Sequence, residues 1–139
     1  MATIERHVTR DVIALDAMAP CREAAKLMAE RKVGAVAVRQ GDRIVGLVTE
    51  RDLVLRVLAV NGDGGIPIGE AMRTDVPIIP MKTHGHDVSD LMRDHYTRHL
   101  LVEEGGKIAG IISMRDVIRL MLDDKQFLIE QLQTYIDGR

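Results

Sequence analysis

Short apolar runs alternate along this chain with stretches in which apolar residues recur every three or four positions. Residues 12–15 (Val-Ile-Ala-Leu) read as a strand. Pro20 suits the first position of a helix, where a missing N–H costs nothing. The residues that follow set Ala24, Leu27 and Met28 on one helical face. Residues 33–38 form a second predicted strand, rich in small and β-branched side chains. Gln40-Gly41-Asp42 reads as a hairpin turn and residues 44–48 as the returning strand. Thr49 then opens a helix carrying Leu53, Val54, Val57 and Leu58. The predicted order is β-α-β-β-α.

Asn61-Gly62-Asp63-Gly64-Gly65 breaks the periodicity and reads as a linker. The same order then returns: a strand at 76–79, a helix at 87–95, a strand at 100–103, a Glu104-Gly105-Gly106 turn and a strand at 108–112. Ser113 opens the last helix. Beyond it, residues 123–136 carry Phe127, Leu128, Leu132, Tyr135 and Ile136 at helical spacing, either continuing that helix or forming a new one. This tail has no counterpart in the first half, and packing against the rest of the chain or against a partner is its expected role.

The recurrence is explicit when the sequence is laid on itself. Gly46-Leu47-Val48-Thr49-Glu50-Arg51-Asp52 returns as Gly110-Ile111-Ile112-Ser113-Met114-Arg115-Asp116, an offset of 64 residues. Residues 4–58 align with 68–122 without a gap, and identical pairs include Ile4/Ile68, Asp11/Asp75, Val38/Val102, Gly41/Gly105 and Leu58/Leu122. Two copies are too few for a solenoid, so a pseudo-symmetric pair is expected. The predicted boundaries are repeat one at 1–62, a linker at 63–66, repeat two at 67–122 and a helical tail at 123–139.

Composition narrows the function. A chain of 139 residues suits one compact domain or two small units sharing a core. With one Phe, two Tyr and no Trp, stacking surfaces for single-stranded nucleic acid are scarce. The net charge of −2 gives no basic footprint for DNA or RNA. Cys21 is the single cysteine, so no internal disulfide can form, and a reducing compartment fits. No signal peptide or membrane-spanning apolar run is read, and a cytoplasmic location is expected.

The gapless pair of β-α-β-β-α units, each ending in Gly-hydrophobic-hydrophobic-Thr/Ser-x-Arg-Asp, resembles a tandem cystathionine-β-synthase (CBS) domain pair. The resemblance covers roughly residues 4–122. It implies an α/β (α+β) fold in which two repeats pack as a pseudo-twofold pair, with a C-terminal helix added. It implies clefts for adenosine-containing ligands (AMP, ADP, ATP, S-adenosylmethionine, NAD(H)) and a regulatory, non-catalytic homodimer that signals through itself or a protein partner. The adenine nucleotide is then a regulatory ligand rather than a catalytic cofactor.

Carried onto this sequence, the resemblance makes Thr49 with Asp52, and Ser113 with Asp116, the ribose-binding residues. It implies adenine contacts from Val8, Ile13, Val33, Gly34 and Ala35 at the Ser113/Asp116 cleft. For the Thr49/Asp52 cleft the implied set is Met72, Pro77, Thr97, Arg98 and His99. Arg98 also fits a phosphate-binding role at the Ser113/Asp116 cleft, with Arg51 and Arg115 of the two motifs as further phosphate candidates. Its counterpart in repeat one is Gly34.

Other readings stand beside these. Thr-x-x-Asp and Ser-x-x-Asp are helix-start signatures in which hydroxyl and carboxylate cap each other's backbone, and capping can coexist with ligand binding. His84, His86, His95 and His99 cluster in sequence, but no cysteine or carboxylate pair completes a tetrahedral metal set. Cys21 near a helix start is a candidate for a lowered pKa, yet no histidine is placed beside it, and no Walker loop, nucleophile elbow or HExxH occurs. No catalytic or metal residue is assigned. The competing function is a structural dimerisation module whose clefts hold no ligand.

Overall fold

The structure, a computed structural model, describes residues 2–138. The chain forms two compact units whose boundaries differ from those of the repeats: one is Asp11–Pro77, and the other joins the segment up to Arg10 to the chain from Ile78 onward.

In the Asp11–Pro77 unit, β1 (Ala14–Asp16) lies parallel to β2 (Ala35–Gln40), and β2 pairs antiparallel with β3 (Arg43–Thr49). Helix α1 (Cys21–Arg31) crosses between β1 and β2. Pro20 is its N-cap rather than its first residue, and Lys32 closes it in the left-handed region at φ 55°. Ala24 and Met28 of α1 join Val36, Val38, Val48 and Val57 in one buried cluster. Strand β1 begins two residues later than the sequence pattern predicts, because parallel pairing sets Ala14 against Ala37.

The second unit repeats this plan with β4 (Ile79–Pro80), β5 (His99–Glu104) and β6 (Lys107–Ser113). Helix α4 (Gly85–Asp94) starts two residues earlier than the pattern predicts. Val88, Met92, Leu100, Val102, Ile112 and Val117 are fully or almost fully buried in this unit. Both hairpins carry a register shift at one matched place, Val38/Arg39 and Val102/Glu103. The Gly105-Gly106 turn has φ of 61° and 79°, the two positive values that a tight two-residue hairpin loop requires.

The helices after the two motifs differ. Helix α2 (Glu50–Leu53) widens over Val54–Leu58, where Ala59 N–H donates to the Val54 carbonyl five residues back at 2.8 Å. Asn61, at φ 61°, and Gly62 end it. The matching positions 125 and 126 are Lys and Gln, which do not stop a helix. The last helix, numbered α5 here, therefore runs unbroken over Met114–Asp137. The tail continues the Ser113 helix, and a boundary at 122/123 falls inside it.

The openings of the two repeats are exchanged. Thr9 exchanges backbone hydrogen bonds with Ile111 at 2.9 and 3.0 Å, and Ile4 N–H donates to the Thr83 carbonyl at 2.9 Å. Reciprocally, the short helix α3 (Ile68–Ala71) is tied to the first repeat: Ile68 N–H donates to Ala19 and Gly69 N–H to Ala17, both at 2.9 Å. Arg73 forms an antiparallel bridge with Leu47. The matched pair Ile4 and Ile68 are both fully buried, each as an anchor for the other repeat's sheet. The crossing segment passes tightly over a glycine each time. A Cβ on Gly46 would meet the Met72 sulfur at 2.7 Å, and one on Gly110 would meet Val8 Cγ1 and, at 2.8 Å, the Thr9 carbonyl oxygen.

Candidate functional site

Each motif places its hydroxyl residue at the last position of a strand and at the cap of a helix. Thr49 ends β3 and caps α2: Asp52 N–H donates to Thr49 Oγ1 at 3.1 Å, and Thr49 N–H donates to Asp52 Oδ2 at 2.9 Å. Ser113 does the same between β6 and α5. Asp116 N–H donates to Ser113 Oγ at 3.2 Å, and Ser113 N–H and Oγ–H both donate to Asp116 Oδ2 at 2.9 Å. The capping box is formed in both repeats. It is made through one carboxylate oxygen of each aspartate, so the other is not needed for it. Asp52 is the one buried charged residue among those described.

The strand turning back beside each motif supplies the next layer. Ala35 lies directly opposite Thr49, and the Gly34 carbonyl accepts from Glu50 N–H at 3.0 Å. His99 lies opposite Ser113, and the Arg98 carbonyl accepts from Met114 N–H at 2.8 Å. Thr97 Oγ1 shapes the entry to β5, donating to the His99 carbonyl at 3.1 Å. Gly34 and Ala35 therefore stand beside Thr49 within one unit, and Thr97 and His99 belong to the sheet that ends in Ser113, since antiparallel pairing puts the start of one strand against the end of the next.

Ile13 and Val33 also lie in the Thr49 unit, where the Ile13 carbonyl accepts from Ala37 N–H and Val33 N–H donates to Met28. Pro77 closes the same unit. Val8, on the exchanged opening segment, lies over Gly110 on the strand that leads to Ser113. Arg51, Arg98 and Arg115 are exposed, Arg51 and Arg115 in the first turns of α2 and α5.

The sequence pattern missed Arg73. Through its bridge to Leu47 it occupies, at the Thr49 motif, the position that Thr9 holds at the Ser113 motif. Arg73 forms a two-pronged ion pair with Asp75: Nε to Oδ1 and Nη2 to Oδ2, each 2.9 Å. The hydrogen bonds from Arg73 hold the Asp75 carboxyl down at about 2, and Asp75, with a further contribution from Asp52, pushes the Arg73 guanidinium up. A basic residue in repeat two where repeat one has Thr9 was the available signal.

Two further candidates change. Cys21 is buried, and burial, aided by the Glu70 carboxylate, pushes its thiol up rather than down. Its helix-start position is outweighed by desolvation. Among the described residues, no group of three or more His, Cys, Asp or Glu side chains gathers as a metal site. His86 instead faces Asp90 one helical turn on at 3.5 Å.

The sequence matches the CBS domain family twice, over residues 4–59 and 68–123. The chain belongs to the CBS-domain family. It is 30% identical over 117 residues to the CBS domain-containing protein YhcV of Bacillus subtilis, covering 84% of each chain. A 17.7 kDa protein of Acidianus ambivalens is 36% identical over 126 residues, covering 88% of this chain and 76% of that one. Among solved structures, a candidate signal-transduction protein with CBS domains from Burkholderia ambifaria superposes with a TM-score of 0.80 at 31% identity, covering 87% of this chain and 92% of that one. The mixed α/β architecture, with two three-stranded sheets and a C-terminal helix, is that of CBS pairs. No helix among the described residues is long and apolar enough to cross a membrane.

Proposed function

We propose that this CBS pair is a regulatory module that binds an adenosine-containing nucleotide at its two hydroxyl–carboxylate helix starts and signals through its own dimer or a protein partner. The observation that carries this reading is the duplicated capping box, in which a half-buried hydroxyl and an acceptor carboxylate stand at the end of a strand. A ribose diol offers two O–H donors, and the carboxylate oxygen that the cap does not need can accept from it. Ser113 with Asp116, and Thr49 with Asp52, take the ribose; Arg98 takes phosphate at the Ser113 site. No step of this reading calls for catalysis.

The expected result is a rise in melting temperature when an adenine nucleotide is added to the protein. At a hundredfold excess over Kd, binding to the folded state adds about 2.7 kcal/mol, or roughly 5–10 °C for a domain of this size. No shift with AMP, ADP, ATP, S-adenosylmethionine or NAD(H) would favour the second reading, a structural dimerisation module. That reading draws on the capping boxes too, because they satisfy the helix starts without a ligand.

The dimer rests on the second half of α5. Phe127, Leu128, Leu132 and Ile136 are all 60% exposed or more, although they are large and apolar. A run of this kind is more than an isolated surface helix leaves in water. A twofold partner presenting the same face would cover it. Ending the chain at Asp123 is expected to weaken or abolish the dimer by light scattering. An unchanged mass together with an unchanged melting temperature would show the tail to be incidental.

A further inference from the structure

The two motifs are matched in hydroxyl and carboxylate, but their nearby cations come from different places. At Ser113/Asp116 the arginine is Arg98, just before β5, and its counterpart in repeat one is Gly34. At Thr49/Asp52 it is Arg73, on the exchanged segment, and its counterpart is Thr9. Antiparallel partners project their side chains from one face of a sheet, as do residues two apart on a strand. Arg73, opposite Leu47, therefore stands on the same face as Thr49.

Arg73 is largely shielded, with its side chain 21% exposed, whereas the Asp75 side chain that holds it is 67% exposed. The fork is thus fixed at its base and presented outward to a carboxylate in solvent. A carboxylate held by both prongs of a guanidinium occupies the geometry that a phosphate also satisfies. Asp75 lies open to solvent, so a phosphate that offers the same two-oxygen geometry with a second negative charge can exchange with it on the guanidinium.

We infer that Arg73 is the phosphate-recognition residue of the Thr49/Asp52 site, and that Asp75 is an internal surrogate which yields the guanidinium to the phosphate of an adenosine phosphate. This rests on the nucleotide reading above and extends it from the ribose to the charge of the ligand. Arg73 also offsets Asp52, whose carboxylate would otherwise repel the phosphate of the nucleotide whose ribose it accepts. The site then prefers a phosphorylated adenosine over the bare nucleoside.

The test is titration calorimetry of AMP and of adenosine into the full chain, as native protein and as Arg73→Gln, Arg73→Lys and Asp75→Asn. Arg98→Gln serves as the reference for the other site. Arg73→Gln should weaken AMP about tenfold or more at one site and leave adenosine unchanged. Arg73→Lys should recover part of the loss, because it keeps the charge without the fork. Asp75→Asn removes the competing charge at a position whose side chain is 67% exposed, and should tighten AMP but not adenosine. If adenosine binds and the AMP-to-adenosine ratio is the same in native, Arg73→Gln and Asp75→Asn proteins, this assignment is overturned and the nucleotide reading survives. If neither compound binds any of the proteins, both fall.

Discussion

Asp116→Asn should weaken adenine-nucleotide binding at the Ser113 site by roughly 10- to 150-fold, the equivalent of losing a hydrogen bond to a charged acceptor worth about 1.5–3 kcal/mol. The geometry says why so small a change matters. Asp116 Oδ2 already accepts from Ser113 N–H and Oγ–H. An asparagine that keeps its oxygen in the cap must turn its NH2 toward the ribose, offering a donor where the diol needs an acceptor. Without nucleotide, the melting temperature should fall only slightly, since asparagine oxygen can still cap. Asp52→Asn should matter less for a ligand at the Ser113 site. Titration and melting curves on both variants separate the two roles. A lowered melting temperature with intact affinity would make Asp116 a cap and nothing more.

Gly110→Ala is expected to destabilise the protein strongly. The added Cβ would run into Val8 Cγ1 and lie 2.8 Å from the Thr9 carbonyl oxygen, which is backbone and is itself hydrogen-bonded to Ile111. Val8 is β-branched and has little rotamer freedom with which to retreat. Overpacking of this kind costs about 1–3 kcal/mol, or roughly 3–12 °C in melting temperature. Gly46→Ala makes the informative comparison. Its Cβ would meet the Met72 sulfur at 2.7 Å, the end of a flexible side chain, with the Arg73 carbonyl farther off at 3.7 Å. It should cost distinctly less. Equal losses in the two variants, measured by thermal denaturation, would mean that the exchanged segments are not seated as described.

The repeat made much of this fold readable. Gly41, Gly105 and Gly106 announced the hairpins, and the apolar spacing of Ala24, Leu27 and Met28 announced α1. The hydroxyl and aspartate of each motif announced a helix start, which both capping boxes are. Features depending on distant pairing were less legible. Periodicity around residues 12–15 and 76–79 marks apolar segments, but parallel pairing with β2 and β5 decides which residues join a sheet. The strand expected at 76–79 shortens to Ile79–Pro80, the two residues that pair in parallel with Val102 and Glu103. Nor does local sequence show that Ile4 and Thr9 belong with Thr83 and Ile111, partners about 80 and 100 residues away. Arg73 went unrecognised for the same reason: its place beside Thr49 comes from a bridge to Leu47 and from no local pattern.

The exchanged openings also impose an order on biosynthesis. Asp11–Pro77 is a continuous stretch, so its strands, α1 and the closing Arg73 bridge can assemble once that stretch has left the ribosome. The other unit cannot. Its opening segment emerges before the Asp11–Pro77 stretch, yet the strand that receives Thr9 follows about a hundred residues later. During translation Ile4 waits for Thr83 and Thr9 for Ile111, and closing so long a loop is an entropic step that local contacts cannot hasten. The nascent chain thus passes through a state with the first unit complete and the second still open, in which Ile4 and Val8 are exposed to whatever chaperone or neighbouring chain is present.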